Sequence, residues 1–223
     1  MKKIIFLGWL VLFLAPVVCA QEKIEAPVWN VGDKWFFTQG NIEVIGADKR
    51  SYALNFSKDT CIVENYGFQT IIFEKSTLNR IYILKEDKRE KYTMGLKNIF
   101  NFPFSPGKQW KHMYSAKPIL TQRYLMGRGI PTLDYYENIR ILGWEDIEVK
   151  AGKFRALKIE YINGHKGLSG GGAHSIFPAY EEKGYYWYSP NVKYFVKREY
   201  DKVSIEAHKE IFNWELTSFQ LKK

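Results

Sequence analysis

The stretch YYWYSPNVKYFVKREY, residues 185–200, decides the fold of this chain. Two runs of β-forming residues flank the Ser-Pro-Asn sequence at 189–191, which is typical of a tight turn. In the second run charged residues alternate with apolar ones, and only Phe195 breaks the alternation. The apolar residues that share one face of this run are Val192, Tyr194 and Val196. Alternation with a period of two predicts a strand with one buried face, so the stretch predicts a hairpin within a larger sheet.

The rest of the mature chain repeats this pattern of short apolar runs and turns. Val, Ile and aromatic residues dominate the runs, and aromatic residues alone make up 17% of the chain, which favours pleated, half-buried surfaces. No segment keeps a helical period, and polar residues interrupt the best short candidate, 90–100. The sequence therefore predicts an all-β fold, a curved antiparallel sheet or open β-barrel with few or no helices. We expect residues 21–223 to form a single β-rich domain that begins with an extended arm at 21–33.

Turn signals divide the chain into candidate strands. Those before a proline-rich break at 102–107 are 34–44, 51–56, 60–66, 68–75 and 79–85, and those after it are 109–127, 132–144, 145–149, 154–162 and 211–221, beside the hairpin. The glycine-rich segment 163–175 is typical of a mobile loop. Two Gly-x-x-Trp turns, at 32–35 and 107–110, indicate equivalent strand entries. The residues around them do not otherwise match, so we interpret the break as a loop within one domain.

The first twenty residues predict the protein's destination. Two lysines precede an apolar run at 4–14, and small residues follow up to Ala20. This layout is typical of a signal peptide at residues 1–20 that is cleaved after Ala20, because the apolar run is too short to span a membrane. We expect a periplasmic or secreted protein without a transmembrane span in the mature chain. Lipidation at Cys19 is the alternative interpretation, which would make the protein a lipoprotein.

Charge and cysteine content narrow the partners. Without the two lysines of the signal, 31 basic residues face 24 acidic ones, a net charge of +7. The basic residues are scattered among acidic ones, and an exported protein meets lipid headgroups or polysaccharide rather than nucleic acid. We therefore expect no nucleic-acid partner. Only Cys61 remains after processing, so no intramolecular disulfide can form, and its apolar surroundings indicate a buried side chain.

Motifs for enzymatic chemistry are weak. Residues 167–171, Gly-Leu-Ser-Gly-Gly, match the Gly-x-Ser-x-Gly pattern of hydrolases, but a nucleophilic Ser169 would need a strand before it and a helix after it. No helix-forming residues follow. Two groups of carboxylates are adjacent in sequence, Glu145, Asp146 and Glu148 in one and Glu181 and Glu182 in the other. Adjacent residues of a strand point to opposite faces, so neither group forms the facing pair of a glycosidase, which indicates solvated charges. We predict no catalytic residue and no enzymatic activity.

Metal and cofactor sites are not predicted either. The four histidines lack the spacing of zinc ligands and are interpreted as loop histidines: His112, His165, His174 and His208. The glycines of 163–175 also lack the Gly-Lys-Ser/Thr ending of a phosphate-binding loop. The sequence thus predicts no metal ion and no cofactor.

Four turn-and-anchor motifs occur in a fixed order along the chain: Trp29-x-x-Gly32-Asp33-x-Trp35, Phe102-Pro103-Phe104 with Gly107-x-x-Trp110, Val149-x-Ala151-Gly152-x-Phe154, and Tyr186-Trp187-Tyr188-Ser189-Pro190. In this the chain resembles uncharacterised exported bacterial β-rich proteins that are classed as domains of unknown function. The resemblance spans most of the mature chain. It implies a strongly curved antiparallel sheet, similar to the half-barrels of periplasmic lipoprotein carriers, and it implies no substrate or active-site residue.

The aromatic residues are the one candidate for ligand contact. Four rings in succession, 185–188, cannot all face one side of a strand, so two of them face away from the core. The predicted ligand contacts are Tyr186, Trp187, Tyr188 and Trp214. We predict a non-catalytic exported protein of the bacterial periplasm or cell envelope that binds an apolar or amphiphilic ligand such as a lipid, or a protein partner, in a curved sheet. The alternatives are a structural module that joins an envelope assembly through its sheet edges and a hydrolase of an envelope polymer.

Overall fold

The computed structural model describes residues 23–57, 70–85, 88–92, 97–116, 132–169, 175–177, 179–202 and 213–223. These ranges contain β-strands and no helix, and the long antiparallel sheet is curved but does not close. The predicted fold class is confirmed. The signal peptide at 1–20, Cys19 and Cys61 lie outside the described residues. No helix in the described ranges is long and apolar enough to cross a membrane.

Twelve strands form the large sheet: β1 Lys34–Phe37, β2 Gly40–Ala47, β3 Ser51–Phe56, β4 Thr70–Glu74, β5 Arg80–Lys85, β6 Lys88–Lys91, β7 Gln109–Ala116, β8 Leu133–Val149, β9 Gly152–His165, β12 Tyr180–Ser189, β13 Tyr194–Lys202 and β14 Trp214–Gln220. A separate pair consists of β10 Leu168–Ser169 and β11 Ser175–Phe177. The order across the large sheet is β6-β5-β4-β3-β2-β1-β14-β13-β12-β9-β8-β7. The sheet therefore consists of two six-stranded meanders joined side by side where β1 pairs with β14.

The two Gly-x-x-Trp turns open the two meanders and have the same geometry. In each turn the glycine and the second strand of the meander exchange two backbone hydrogen bonds. The Gly32 N–H donates to the carbonyl of Val44 at 2.8 Å, and the Val44 N–H donates to the carbonyl of Asp33 at 2.9 Å. The Gly107 N–H donates to the carbonyl of Ile141 at 2.8 Å, and the Ile141 N–H donates to the carbonyl of Lys108 at 2.9 Å. Both glycines have positive φ, 91° and 81°, which favours glycine. The equivalence expected of these strand entries is thus present in the structure.

The correspondence extends beyond the entry turns. A bulge follows in each second strand, ending at Gly46 in β2 and at Gly143 in β8. In the turn between the fourth and fifth strands of each meander, the residue four positions after the fourth strand has a left-handed backbone: Leu78 (φ 55°) and Lys193 (φ 62°). Their N–H groups donate to Glu74 and Ser189 at 2.8 and 3.0 Å. The two meanders therefore form a structural repeat, and their similarity is most evident at turns and bulges.

The hairpin that decides the fold is longer at its turn than the sequence predicts. The turn covers residues 190–193 rather than 189–191, so Val192 lies in the turn and not on a strand. Trp187 is opposite Lys197, whereas Tyr188 is opposite Phe195, which leaves Val196 as the extra residue of a β-bulge. This bulge is the structural reason for the break in alternation at Phe195.

The apolar inner face of the sheet is covered by the chain's own segments. Residues 23–33 form the predicted arm, which pairs with the 97–107 segment through hydrogen bonds of 2.8 Å between Ile24 and Phe104. Trp29 is 2% exposed. Five rings surround it at 5.5–5.9 Å: Trp35, Tyr52, Phe73, Phe100 and Tyr194. The deep part of the concavity is therefore a packed core.

Two indole groups fasten this core to the turn of the β12–β13 hairpin. Trp35 Nε1 donates to the carbonyl of Val192 at 2.8 Å, and Trp29 Nε1 donates to the carbonyl of Lys193 at 2.9 Å. In return, Lys193 Nζ donates to the carbonyl of Val28 at 2.8 Å. These bonds join residues more than 150 positions apart, and they hold the first meander against the second.

Several predicted elements need correction. The predicted strand 34–44 is two strands, because a turn at residues 38–39 separates β1 from β2. The predicted strands 132–144 and 145–149 form one continuous strand, β8. The predicted loop at 163–175 begins inside β9, contains β10 and ends at the first residue of β11. β7 ends at residue 116, and the remainder of the predicted strand 109–127 lies outside the described residues, as does 60–66.

Candidate ligand-binding site

Three of the four predicted ligand contacts face the inner side of the sheet and are buried. Tyr186, Tyr188 and Trp214 are 1%, 0% and 7% exposed. The ring of Tyr186 lies 6.3 Å from that of Trp214, and the ring of Tyr188 lies 5.2 Å from that of Phe104. A ligand could therefore touch these residues only where the groups that cover them move, and their role in binding stays a prediction.

Trp187 faces the outer side, where a charged cluster covers it. Its Nε1 donates to Glu145 Oε2 at 2.8 Å, and the ammonium groups of Lys158 and Lys197 lie 5.1 and 5.2 Å from its rings. Lys158 also pairs with Glu145 at 3.0 Å. Burial pushes the pKa of Glu145 up, but the hydrogen bonds from Trp187 and Lys158 outweigh this effect and hold the pKa below its usual value. The cluster fixes the outer face of Trp187 and leaves it 4% exposed.

A row of half-buried rings lies on the inner face at one end of the second meander. Its members are directly opposite one another on four neighbouring strands, β7, β8, β9 and β12: Tyr114, Tyr135, His165 and Tyr180. The centroids of successive rings are 5.1, 5.1 and 5.7 Å apart, and Tyr114 and Tyr135 are nearly parallel, with 8° between their planes. We call this row the aromatic shelf. It crosses about 14 Å of sheet, three strand spacings.

The shelf arises from strand register. Each member lies at or near the end of its strand. Every second residue of a strand faces inward, and the strand pairing places these inward-facing residues of the four strands side by side. Aromatic pairs opposite each other on antiparallel strands stabilise a sheet by about 0.2–1 kcal/mol each.

The two histidines among the described residues, His112 and His165, lie in strands β7 and β9, so their interpretation as loop histidines is wrong.

One row deeper, the same four strands carry polar side chains. In register these are His112, Glu137, Asn163 and Glu182, which we call the polar row. Glu137 is 1% exposed and accepts a hydrogen bond of 2.9 Å from the hydroxyl of Tyr161. Burial and the neighbouring Glu137 charge raise the pKa of Tyr161 well above its usual value, so this hydroxyl stays protonated and keeps donating.

Positive charge lies near both ends of the polar row. Burial lowers the pKa of His112, and the charge of Lys97 lowers it further, which keeps the imidazole neutral. At the other end burial raises the pKa of Glu182, while a hydrogen bond from Tyr180 and the charge of Arg198 act in the opposite direction. The negative charge of the row is therefore partly balanced by basic residues of the protein itself.

Arg198 holds its place through aromatic contacts. It is 2% exposed, donates to the hydroxyl of Tyr200, and lies 5.2 and 4.5 Å from the rings of Tyr186 and Tyr200. Gly184 makes room for Tyr200, because a Cβ atom at Gly184 would lie 3.4 Å from the Tyr200 ring and 2.9 Å from the carbonyl oxygen of Glu199. The floor below the polar row is thus closely packed.

Two buried polar atoms of the polar row have no hydrogen-bond partner among the described residues. They are His112 Nε2 and Asn163 Oδ1, on the two strands that flank Glu137. A buried polar atom without a partner is uncommon and needs an explanation such as water or a ligand. The aromatic shelf and these two atoms together make this end of the inner face the candidate site.

A surface depression of about 660 Å³ lies on the outer face at the same strand ends. His165 and Tyr180 reach its edge, but Lys111, Tyr136 and Glu181 in its wall alternate with the shelf and the polar row along their strands and point away from them. In this depression the hydroxyl of Tyr136 donates to Glu181 at 2.8 Å.

The remaining motifs bring together no catalytic group in the described part of the chain. Ser169 lies in the short strand β10, and residues 170–174, which follow it, lie outside the described ranges. His174 and His208 also lie outside the described ranges. Where the chain is described, no three histidine, cysteine or carboxylate side chains are placed to hold a metal ion.

Comparison with known proteins yields structural likeness only. No family model matches the chain, and no curated protein matches it significantly. Among solved structures, the hypothetical lipoprotein YmcC from Escherichia coli K12 has 6% identity and a TM-score of 0.41, with 90% of each chain covered.

Two further solved structures are similar. One is a lipoprotein by name from Parabacteroides distasonis, with 12% identity, a TM-score of 0.40, and 90% of this chain and 100% of that one covered. The other is named an exported protein with a YmcC-like fold from Bacteroides fragilis, with 11% identity, a TM-score of 0.37, and 90% and 99% covered. All three names agree with the resemblance to uncharacterised exported proteins seen in the sequence. Likeness at this level carries no argument about function.

Proposed function

We propose that this is a non-catalytic exported protein of the bacterial periplasm or cell envelope that binds an amphiphilic ligand on the aromatic shelf. The observation that carries the proposal is the position of half-buried rings directly above a polar row, in which Glu137 is buried and Asn163 Oδ1 has no partner among the described residues. Rings offer an apolar contact surface and the row offers hydrogen bonds, which is the combination that recognises a molecule with both apolar and polar parts.

The position of the shelf supports a ligand at the mouth of the curved sheet rather than deep inside it. The deep inner face is occupied by Trp29, Phe100 and Phe104, which are 2%, 0% and 0% exposed. A long acyl chain would have to displace that core. A ligand that lies across the shelf keeps this core intact.

Binding can be tested with three probes below their micelle concentrations: dodecyl maltoside, lysophosphatidylethanolamine and laurate. We expect saturable binding of at least one probe by isothermal titration calorimetry. Tyr135→Ala should weaken that binding about tenfold, because one aromatic contact contributes about 1 kcal/mol. Tyr82→Ala is a matched control, since Tyr82 is a 38% exposed tyrosine on β5 of the other meander. The absence of binding by all three probes would refute the proposal.

The exported location has its own test. We expect the full chain, produced in a bacterial host, to be recovered from the periplasm with Gln21 as its first residue, as the signal sequence predicts. A product that begins with a lipid-modified Cys19 would establish the lipoprotein alternative. A product that stays in the cytoplasm with residues 1–20 intact would contradict export.

A structural role in an envelope assembly is the second candidate, and one edge of the sheet, strand β7, favours it. The edge strand β6 is short, fully exposed and made of the charged residues KREK, which discourages pairing with another chain. The opposite edge strand β7 is eight residues long and carries Met113, which is 63% exposed. In this role, Met113→Asp should reduce the apparent mass of any assembly in size-exclusion chromatography, whereas a species that is monomeric at all concentrations in envelope extracts would contradict it.

A further inference from the structure

The polar row narrows the chemistry of the ligand. Three of its four members, Glu137, Asn163 and Glu182, present oxygen acceptors, and the unpartnered atom of Asn163 is the acceptor Oδ1. A group that binds these oxygens must donate hydrogen bonds. Hydroxyl groups and ammonium groups are the two common donors that could do so.

The two atoms of the row without a partner among the described residues favour hydroxyl groups. Asn163 Oδ1 accepts a hydrogen bond, and His112 Nε2 donates or accepts according to its tautomer. An ammonium group can only donate hydrogen bonds, whereas a hydroxyl group can both donate and accept. A ligand with several hydroxyl groups therefore satisfies both atoms.

The shelf above the row favours a ring-shaped ligand. Tyr114 and Tyr135 are nearly parallel, and the shelf extends over four side chains. The apolar face of a sugar ring can pack against these aromatic side chains. The hydroxyl groups at the periphery of the sugar can then reach the polar row. A plain acyl chain would leave Asn163 Oδ1 without a partner, which is unfavourable for a buried acceptor.

We propose that the aromatic shelf and the polar row recognise a saccharide, with its ring packed against Tyr135 and its hydroxyl groups donating to Asn163 Oδ1 and Glu137. This inference rests on the proposed function, since it names the part of the amphiphile that the site reads. A glycolipid headgroup and a free oligosaccharide share this chemistry.

The test compares probes that carry a sugar, a chain or both. Maltotriose, cellotriose and N-acetylated chitotriose supply neutral sugars without an acyl chain, and dodecyl maltoside supplies both a sugar and a chain. Laurate supplies a chain alone, and spermidine supplies a cation alone. We expect at least one trisaccharide to bind and to compete with dodecyl maltoside. A free oligosaccharide as natural ligand predicts equal affinity for maltotriose and dodecyl maltoside, whereas a glycolipid headgroup predicts tighter binding of the latter.

Three variants make the test specific. Tyr135→Phe keeps the ring and should leave sugar affinity within about threefold, whereas Tyr135→Ala should lower it about tenfold. Asn163→Ala should also lower the affinity about tenfold, and the protein should melt at the same temperature or higher, because Oδ1 has no protein partner to lose. Asn163→Ala thus remains informative even if Tyr135→Ala folds poorly.

The outcomes separate the two proposals. If laurate, lysophosphatidylethanolamine or spermidine binds and no trisaccharide competes, the saccharide inference is overturned and the proposed site remains. If a trisaccharide binds but neither Asn163→Ala nor Tyr135→Ala changes its affinity, the saccharide is recognised elsewhere and the inference is overturned as well. If no probe of any class binds, both proposals fail together.

Discussion

The hydrogen bond from Trp35 to the β12–β13 turn provides a sharp prediction about how the fold is held together. Trp35 is 0% exposed, its ring packs 5.0 Å from that of Tyr194, and its Nε1 donates to the buried carbonyl of Val192 at 2.8 Å. Trp35→Phe keeps an aromatic ring but removes the donor. The Val192 carbonyl then stays buried without a partner, and the smaller ring leaves a gap in the core.

The magnitude follows from these two losses. A buried acceptor left without a partner destabilises the fold by about 1–3 kcal/mol. The unfilled part of the ring adds about 1–2 kcal/mol. We therefore expect Trp35→Phe to lower the free energy of unfolding by about 2–5 kcal/mol, which in a protein of this size lowers Tm by about 4–20 °C.

The repeat supplies a matched control. Trp110 occupies the equivalent position in the second meander, and its Nε1 donates to the carbonyl of Asn98 at 2.8 Å, but this bond is only part-buried. In Trp110→Phe the Asn98 carbonyl can be hydrated, so we expect a loss of about 0.5–1.5 kcal/mol. Urea denaturation of the two variants measures the difference. If Trp35→Phe lies within about 1 kcal/mol of the wild type, or destabilises no more than Trp110→Phe, the argument from the buried bond is wrong.

Three further predictions concern the entry turn, the shelf and the pH dependence of stability. Asp33→Asn should cost about 1–3 kcal/mol in urea denaturation, because Oδ1 and Oδ2 accept from the backbone N–H groups of Lys222 and Asn30 at 2.6 and 2.9 Å and an amide can offer only one oxygen. Gly164→Ala should destabilise by about 1–3 kcal/mol and weaken ligand binding, because its Cβ would press on the carbonyl oxygen of Tyr180 in the shelf strand β12. Glu182→Gln should stabilise the protein increasingly as the pH rises above about 4.5, since burial raises the pKa of Glu182 in the folded state and the fold loses stability as this group ionises.

Each of these has a clear opposite result. Wild-type stability of Asp33→Asn would mean that the two acceptors do not fasten the turn to the C-terminal residues. Unchanged melting of Gly164→Ala would mean that β9 and β12 are not packed as closely there as the structure shows. A gap between wild type and Glu182→Gln that widens toward acid pH, rather than toward neutral pH, would reverse the assigned direction of the pKa shift.

The architecture was predictable because it depends on local patterns. Period-two alternation and turn residues identified the β12–β13 hairpin and the all-β class, and the strand 51–56 has the predicted bounds. The break at Phe195 was visible in the sequence, but its cause, a bulge at Val196, depends on which residues lie opposite on β12. The two Gly-x-x-Trp turns at Gly32 and Gly107 indicated a repeat in the sequence, but only their equivalent hydrogen bonds establish it.

The candidate site was not predictable in the same way. Tyr114, Tyr135, His165 and Tyr180 are as far as 66 positions apart, and only the strand register places them in one row. The sequence pattern that could have revealed the shelf is a tyrosine or histidine near the ends of successive strands. These residues share the face of each strand whose other residues are apolar. The predicted ligand contacts came instead from the run of four rings at 185–188, because a local run can be recognised without knowledge of strand pairing.

The measurement that tests the central claim most directly is an NMR titration of the protein with dodecyl maltoside below its micelle concentration. The account predicts that the side-chain amide of Asn163 and the ring signals of Tyr135 shift together and saturate with one dissociation constant, while the ring of Tyr82 stays unchanged. Shifts confined to the outer cluster around Trp187 or to the β7 edge would contradict a ligand site on the inner face.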